Sequence, residues 1–158
     1  MRRSDREIKE RQDLLDVIRR CDVCRLALND DGYPYIVPLN FGVVTKGDEI
    51  ELVFHSALEG HKLDLVRADN RASFEMDCSH QLQYFEEKGY CTYSYESVTG
   101  RGHIEFVAEE EKAAALQVLM DHYHPDRNAS FNHSAIPRTA VYKLKVESIS
   151  GKRKELKK

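Results

Sequence analysis

The alternation of apolar and polar residues predicts that this chain is built mainly from β-strands. The alternation is clearest over residues 49–55, where Ile50, Leu52 and Phe54 share one face and the residues between them share the other. Comparable stretches predict further strands, at 21–29, 35–44, 72–78, 90–107 and 139–150. Short turn sequences join the first three strands, so these strands are expected to form a meander.

Three other stretches place apolar residues at helical spacing. The first covers residues 4–20 and opens with Ser4 and Glu7, a pair typical of a helix N-terminus. The other two cover residues 57–68 and 109–123. The polar segment 124–138 predicts a loop, and the polar segment 79–90 predicts a loop or a ragged hairpin. Together these elements predict a mainly β, α+β fold of antiparallel strands with flanking helices, followed by a basic tail at 151–158.

Length and composition favour one folded domain spanning residues 1–158. With 41% hydrophobic and 32% charged residues, the chain is large enough to bury its own core. No apolar run approaches the roughly 18 residues that a membrane-spanning helix needs. The first residues lack an apolar segment of the secretory type, so a cytoplasmic protein is expected.

Charge is unevenly distributed along the chain. The formal total is −3, but residues 1–20 and 143–158 carry +2 and +5, whereas residues 21–142 carry −10. An acidic body does not favour general nucleic-acid binding, which requires a basic face. If such a body binds an anion, a few local cations and backbone N–H groups must hold it.

Four cysteines, Cys21, Cys24, Cys78 and Cys91, are expected to be reduced in the cytoplasm. Cys21 and Cys24 have C-x-x-C spacing, but a zinc ribbon needs a second close pair, which the sequence lacks. The alternative to zinc or redox chemistry is that these cysteines are small buried apolar side chains.

The best candidate for an anion site is the predicted junction between a strand and the helix that follows it. The first turn of a helix has free N–H groups and a partial positive charge. His55, Ser56, His61 and Lys62 would surround this turn with hydrogen-bond donors and cations, as phosphate binding requires. The alternative is that Ser56 only caps the helix, with Glu59 completing a capping box.

Two further segments could contact a ligand. Pro38 interrupts a predicted strand, and this either leaves backbone groups and the Asn40 amide free to bond a planar ring or marks only a bulge. Gly100 and Gly102 permit close approach of a backbone within a strand, or serve only the curvature of a barrel.

Several motifs, taken in order and spacing, resemble one protein family over about residues 5–155. The motifs are Cys24-Arg25-Leu26-Ala27-Leu28, Pro34-Tyr35-Ile36-Val37-Pro38-Leu39-Asn40-Phe41, Phe54-His55-Ser56-Ala57 with Gly60 and Lys62, Ser97-Val98 with Gly100, and Ile149-Ser150-Gly151-Lys152. The family is the nitroimidazole-resistance group of the pyridoxamine 5′-phosphate oxidase-related flavin proteins.

This resemblance implies a split β-barrel that forms a homodimer, with FMN in a cleft at the dimer interface. His55 would be the catalytic residue, close to both flavin and substrate. The implied cofactor contacts fall into three groups: His55, Ser56, His61 and Lys62 near the phosphate; Val37, Pro38, Leu39, Asn40 and Phe41 along the flavin ring; and Ser97 and Val98 from the second subunit, with Lys152 adding to the anion site.

The activity implied by the resemblance is that of an FMN-dependent oxidoreductase that reduces a small aromatic or nitroaromatic molecule. The sequence from Gly151 onward does not resemble the Arg/His segment that binds substrate in pyridoxamine 5′-phosphate oxidases, so vitamin B6 oxidation is not expected. The alternative is a non-enzymatic flavin- or haem-binding carrier or sensor, because related split barrels also bind haem. His61, His103 and His122 would then be candidate haem ligands.

Overall fold

Strands dominate the computed structural model, which describes residues 3–124 and 132–156. The strands in these ranges are β1 (Glu7–Ile8), β2 (Cys24–Asp30), β3 (Tyr33–Leu39), β4 (Gly42–Lys46), β5 (Glu49–Ala57), β6 (Arg71–Phe85), β7 (Tyr90–Phe106) and β8 (Thr139–Lys154). The α-helices are α1 (Arg11–Arg20), α2 (His61–Ala68) and α3 (Lys112–Tyr123). The longest of them, α3, has 12 residues, and none is long and apolar enough to cross a membrane.

The strands form one antiparallel sheet in the order β3-β2-β6-β7-β8-β5-β4, and the short β1 adds to β8. The sheet curls around one core, to which strands β2, β5, β6, β7 and β8 all contribute buried side chains. Within the described ranges the end strands β3 and β4 do not pair with each other, so the barrel is open along one seam. The predicted mainly β split barrel with flanking helices is confirmed.

Two helices cover different surfaces of the sheet. Helix α1 closes the core, because Leu14, Leu15, Val17 and Ile18 are buried among the strand residues. Helix α3 lies on the outer surface, where Leu119 packs against Val53 of β5 and Val141 of β8 in a separate small cluster. The sheet is therefore buried on both faces along β5 and β8.

The curvature of the sheet depends on a bend in the pairing of β7 with β8. The register of this pair shifts between Arg101 and Gly102, within the glycine-containing segment in which a bulge was predicted. The backbone of Gly102 approaches β8 so closely that a Cβ atom there would overlap the carbonyl oxygen of Lys145. Only glycine fits at this crossing.

The first helix is shorter than predicted, because Ser4 and Glu7 do not form a capping box. Residues 4–6 form a single 3₁₀ turn, and α1 begins only at Arg11. Glu7 and Ile8 instead pair with Lys152 and Gly151 of β8, and the Ile8 side chain is buried in the core. The burial of Ile8 and the pairing of Glu7 and Ile8 with β8 together outweigh the local preference for a helix start.

The predicted three-stranded meander is wrong. Residues 35–44 belong to two strands, β3 and β4, that lie at opposite ends of the sheet, and the chain crosses between them at Asn40 and Phe41. Phe41 fixes this crossing: its ring is fully buried, and its N–H donates to the Tyr123 hydroxyl oxygen at 3.1 Å. Pro38 lies in β3, an edge strand, where a missing N–H costs no ladder hydrogen bond.

Of the two alternatives predicted for residues 79–90, a loop or a ragged hairpin, the structure shows the hairpin. Strands β6 and β7 remain paired from Gln81–Ser94 to Phe85–Tyr90 and form a two-stranded arm, defined here as residues 81–94. The rings of Phe85 and Tyr90 stack at 4.9 Å near its tip, so cross-strand aromatic contact stabilises a segment of polar composition.

Two further boundaries differ from the sequence-based expectation. Strand β8 runs to Lys154, so the first half of the predicted basic tail, residues 151–154, is paired. In the predicted loop 124–138, residues 133–138 form a 3₁₀ turn, and residues 125–131 lie outside the described residues.

The close approach at Gly102 makes a stability prediction. Gly102→Ala should lower the free energy of unfolding by about 2–3 kcal/mol, because the added methyl forces the Lys145 carbonyl out of position. Urea denaturation of both proteins measures this change. Gly47→Ala is the matched control: its Cβ would meet no atom, and its left-handed φ of +57° should cost only about 1 kcal/mol. Equal losses in the two variants would contradict the steric argument.

Candidate functional site

The predicted strand-to-helix junction exists, but its helix begins later than expected. Strand β5 ends at Ala57 and α2 begins at His61, after Gly60 turns the chain with a φ of +140°. The Gly60 carbonyl accepts the N–H groups of Leu63 and Asp64, so the N–H groups of the first helical turn before them have no partner within the helix. The junction retains the free donors that an anion site requires.

Ser56 does not cap this helix. It lies within β5, where its hydroxyl donates to the carbonyl oxygen of Ala57 at 2.9 Å. The capping-box alternative with Glu59 is therefore wrong, because no side chain caps α2 and Gly60 occupies the position before it.

Lys62 is a half-buried cation beside this junction. Its Nζ lies 5.7 Å from the centroid of the Tyr142 ring, and among the described residues no carboxylate comes within 4 Å of it. Burial lowers the pKa of the Lys62 ammonium, since no opposite charge compensates for the lost water. A half-buried ammonium without a counter-charge is suited to receive an anion.

His55 stands next to Lys62, on the outer face of β5. Burial lowers the pKa of its imidazole, and the positive charge of Lys62 lowers it further. Its cross-strand neighbour is Val141 of β8. Both effects disfavour the protonated imidazole, whose ring nitrogens can donate or accept a proton.

Tyr142 is a site residue that the sequence analysis missed. Its side chain is fully buried, stacks with Phe54 at 5.7 Å and lies beneath Lys62. The Ser56 hydroxyl is nearby, but the Tyr142 hydroxyl makes no hydrogen bond of acceptable geometry within the described chain, and burial raises its pKa. The signal lay in the alternation of β8, where Tyr142 shares the inward parity of Leu144, while Val141 faces outward against α3.

His61 does not point toward Lys62 and His55. Its Nε2 lies 2.8 Å from Oδ2 of Asp30, and its ring meets the Tyr35 ring edge-on at 5.2 Å. It therefore ties the start of α2 to the β2–β3 hairpin, and it can reach a ligand only from that side.

The side chains of residues 37–41, predicted to line a flavin ring, point partly into the core and partly to the surface. Val37 and Leu39 are partly buried against the core, whereas Pro38 and Asn40 face outward and are exposed. Phe41 is fully buried and packs on the His122 ring at 4.5 Å, so its side chain is committed to the fold. The available groups are the exposed side chains and the free backbone edge of β3, which pairs only with β2 in the described chain.

Ser97 and Lys152 lie far from this junction. They are cross-strand partners in the β7–β8 ladder, whereas Tyr142 lies near the other end of β8. Ten residues of strand separate Tyr142 from Lys152, roughly 30 Å along the chain. Val98 is fully buried in the core, so it can reach a ligand only through its backbone.

The three candidate haem ligands lie in different places and each has one ring nitrogen in use. Besides the contact of His61 with Asp30, Nδ1 of His103 lies 2.7 Å from Glu147, and Nε2 of His122 lies 2.9 Å from the carbonyl oxygen of Cys21. Within residues 3–124 and 132–156 no group of three or more His, Cys, Asp or Glu is arranged to hold a metal ion.

Comparison with known families supports the resemblance seen in the sequence. The pyridoxamine 5′-phosphate oxidase family model matches residues 10–153. No curated protein matches the sequence.

Solved structures with the same fold include flavin- and haem-binding proteins. A Bacteroides thetaiotaomicron protein, provisionally assigned to 5-nitroimidazole antibiotic resistance, is 33% identical, with 93% of this chain and 86% of that one covered and a TM-score of 0.77. An FAD- and haem-binding protein of Mycobacterium smegmatis is 24% identical (96% and 74% covered, TM-score 0.78). The Azotobacter vinelandii flavocytochrome Anf3 is 18% identical (99% and 72% covered, TM-score 0.77). The last two show a shared fold only.

The contact between Lys62 and His55 makes a pH prediction that needs no ligand. Removing the Lys62 charge removes one of the two causes that lower the His55 pKa, so Lys62→Ala should raise it. NMR titration of the imidazole signals measures this pKa, with His55→Gln identifying the resonance. Lys46→Ala removes an exposed lysine on β4 and should leave the His55 pKa unchanged. An unaltered His55 pKa in Lys62→Ala would show that the Lys62 charge does not act on His55.

Proposed function

The chain belongs to the pyridoxamine 5′-phosphate oxidase family, and from this membership we propose that it is an FMN-binding flavoprotein that acts as an oxidoreductase on a small aromatic or nitroaromatic substrate. The observation that carries the proposal is the half-buried Lys62 ammonium, which has no carboxylate partner among the described residues. It stands at a junction where the first N–H groups of α2 have no partner within the helix.

The residues at this junction fit a phosphate group. Lys62 would supply the fixed positive charge, and the first N–H groups of α2 would donate hydrogen bonds. Ser56 and His61 border the site on two sides, although each now bonds within the chain, to Ala57 and to Asp30. A bound anion would supply the counter-charge that the half-buried Lys62 ammonium lacks among the described residues.

Other residues fit a planar ring and a proton. The free edge of β3 at Val37, Pro38 and Leu39 offers backbone donors and acceptors, and Asn40 offers an exposed amide. When bound, a flavin supplies hydride or single-electron transfer. His55, whose pKa burial and Lys62 lower, would hold or give up one proton at its ring nitrogen.

Two chains are needed to bring all predicted contacts to one flavin. Ser97 and Lys152 pair near the C-terminal end of β8, ten residues along the strand from Tyr142, which lies beneath Lys62. A homodimer would resolve this separation if each chain supplied the junction of one site and the Ser97–Lys152 pair of the other. The exposed Leu82, Tyr84 and Tyr93 side chains on one face of the arm offer apolar surface for such an interface.

The 33% identical relative favours a nitroaromatic substrate. The second candidate function is a flavin carrier or sensor without turnover. It is proposed because an FAD- and haem-binding protein and a flavocytochrome have the same fold. The absorption spectrum of the purified protein separates flavin from haem. Anaerobic reduction by NADH or NADPH, followed by a nitroimidazole, then separates enzyme from carrier: reoxidation by the nitro compound supports the oxidoreductase, and a flavin that stays reduced supports the carrier.

Lys62→Ala should weaken FMN binding by about 10–100-fold, because the phosphate loses a charge-assisted contact. Quenching of flavin fluorescence during titration measures the affinity. Riboflavin, which lacks the phosphate, should bind the variant and the original protein equally well. Lys62→Arg should restore most of the FMN affinity, and Lys46→Ala should not change it. Equal FMN affinity in Lys62→Ala and the original protein would remove Lys62 from the phosphate site.

A mixing experiment tests whether each site draws on two chains. Lys62→Ala and Lys152→Ala homodimers should both bind FMN weakly, since every site in them lacks one contact. In a co-expressed heterodimer of the two variants, one site would combine the intact Lys62 of one chain with the intact Lys152 of the other. Tight FMN binding should therefore return at half of the heterodimer sites. Uniformly weak sites in the heterodimer would place both contacts on the same chain, and tight FMN binding by the Lys152→Ala homodimer would exclude Lys152.

A further inference from the structure

A second group of reactive side chains lies at the root of the arm, far along β7 and β8 from the α2 junction and next to the Ser97–Lys152 pair. Cys78 of β6 packs against the core cluster that contains Cys21, the residue directly after α1. Their chain neighbours Ser79 and Arg20 both donate to Oε2 of Glu96, which holds the end of α1 and the Arg20 guanidinium beside this part of β6. Two sulfurs and one cation therefore meet where the end of α1 packs on β6.

The two thiols differ in their access to solvent. Cys21 is buried, with 1% of its surface exposed, whereas Cys78 is only partly buried. Burial, followed by its neighbour Cys78, raises the pKa of the Cys21 thiol, which disfavours its ionised form in the reduced protein. A reagent in solution would thus meet Cys78 first.

Polar contacts fix the surroundings of Cys78. The Ser79 hydroxyl lies 3.6 Å from the Cys78 sulfur and 2.7 Å from Oε2 of Glu96. The same carboxylate accepts Nη2 of Arg20 at 2.6 Å and Nε of Arg153 at 2.6 Å. Arg20 is therefore held beside Cys78 by an ion pair rather than being free to swing into solvent.

The backbone at this point is irregular. The β6–β7 register shifts between Cys78 and Gln81, and Ser79 adopts a φ of +59°, a left-handed conformation that is uncommon for a residue with a side chain. Bulges and left-handed residues of this kind concentrate at functional positions. Here the irregularity places Cys78 at the boundary between the barrel and the arm.

We propose that Cys21 and Cys78 form a reversible thiol pair, which a small-molecule disulfide of the glutathione class oxidises to an intramolecular disulfide. In the first step the Cys78 thiolate attacks one sulfur of the small disulfide, breaks its S–S bond and releases one thiolate. In the second step Cys21 loses its proton, attacks the Cys78 sulfur of the mixed disulfide and releases the second thiolate. Two protein thiols are oxidised, and one small disulfide is reduced to two thiols.

The other two cysteines do not compete for this role. Cys24, the expected C-x-x-C partner of Cys21, is fully buried in the core, and burial raises its pKa. Cys91 is exposed on the arm, cross-strand from Tyr84 and separate from the Cys21–Cys78 contact. The pair is defined by a fold contact between residues far apart in sequence, and it does not depend on the proposed flavin function.

The test uses the full chain carrying Cys91→Ser, which removes the exposed thiol. The reduced protein is incubated with glutathione disulfide, its free thiols are alkylated, and its peptides are analysed by mass spectrometry without reduction. The expected major product is a peptide pair linking Cys21 to Cys78, which dithiothreitol reverses. Adding Cys78→Ser should abolish the link and leave Cys21 unmodified, whereas adding Cys21→Ala should leave Cys78 as a stable mixed disulfide with glutathione.

Two outcomes would overturn the proposal. One is a persistent mixed disulfide on Cys78 in the protein that retains Cys21, since the second step would then fail. The other is complete alkylation of Cys78 after oxidant treatment. Both are read from the protein with all three cysteines in place, so the result stands even if Cys21→Ala fails to fold.

Discussion

The long antiparallel pairing of β7 with β8 is the contact on which the rest of the structure depends. It runs from Tyr95–Lys154 at one end to Phe106–Tyr142 at the other, and it bends where Gly102 meets the Lys145 carbonyl. The N-terminal end of β8 also pairs with β5, the strand that leads to the α2 junction. The C-terminal end of β8 pairs with β1 and lies under α1. One ladder thus positions both the candidate anion site and the cysteine pair.

Electrostatics at the two places follow opposite patterns. At the root of the arm, Glu96 is surrounded by Arg20, Arg153 and the Ser79 hydroxyl, and these contacts hold its pKa below the usual range against the effect of burial. At the α2 junction, Lys62 has no such compensation among the described residues. On the proposed function, an acidic body would bind an anion at the α2 junction because no described carboxylate pairs with Lys62 there, whereas other cations form ion pairs.

Much of the fold could be predicted from local patterns. The strand–helix junction, the edge position of Pro38 and the bend at Gly102 each follow from chemistry that a single segment contains. The separation of β3 from β4 could not be predicted, because alternation identifies a strand but not its neighbours. The strand position of Ile8 could not be predicted either, because it depends on burial of the side chain in the core, and a capping-box pattern contains no information about burial.

The candidate site was predicted less completely than the fold. Lys62 and His55 lie together as expected, whereas His61 turns to Asp30 and Ser97 lies along another part of the sheet. Tyr142 was overlooked because a tyrosine suits either face of a strand, although it shares the inward parity of Leu144 along β8. The approach of Cys21 to Cys78 depends on how α1 docks on β6, which spacing along the chain does not encode.

The uncompensated charge of Lys62 also bears on how long the protein persists. A buried ammonium without a partner reduces the stability of the empty fold, whereas an anion that binds only the folded chain adds its binding free energy to that stability. Chains without ligand therefore open more often and present more substrate to proteases. If the proposed anion binds at Lys62, the supply of ligand would therefore affect the abundance of the protein as well as any activity.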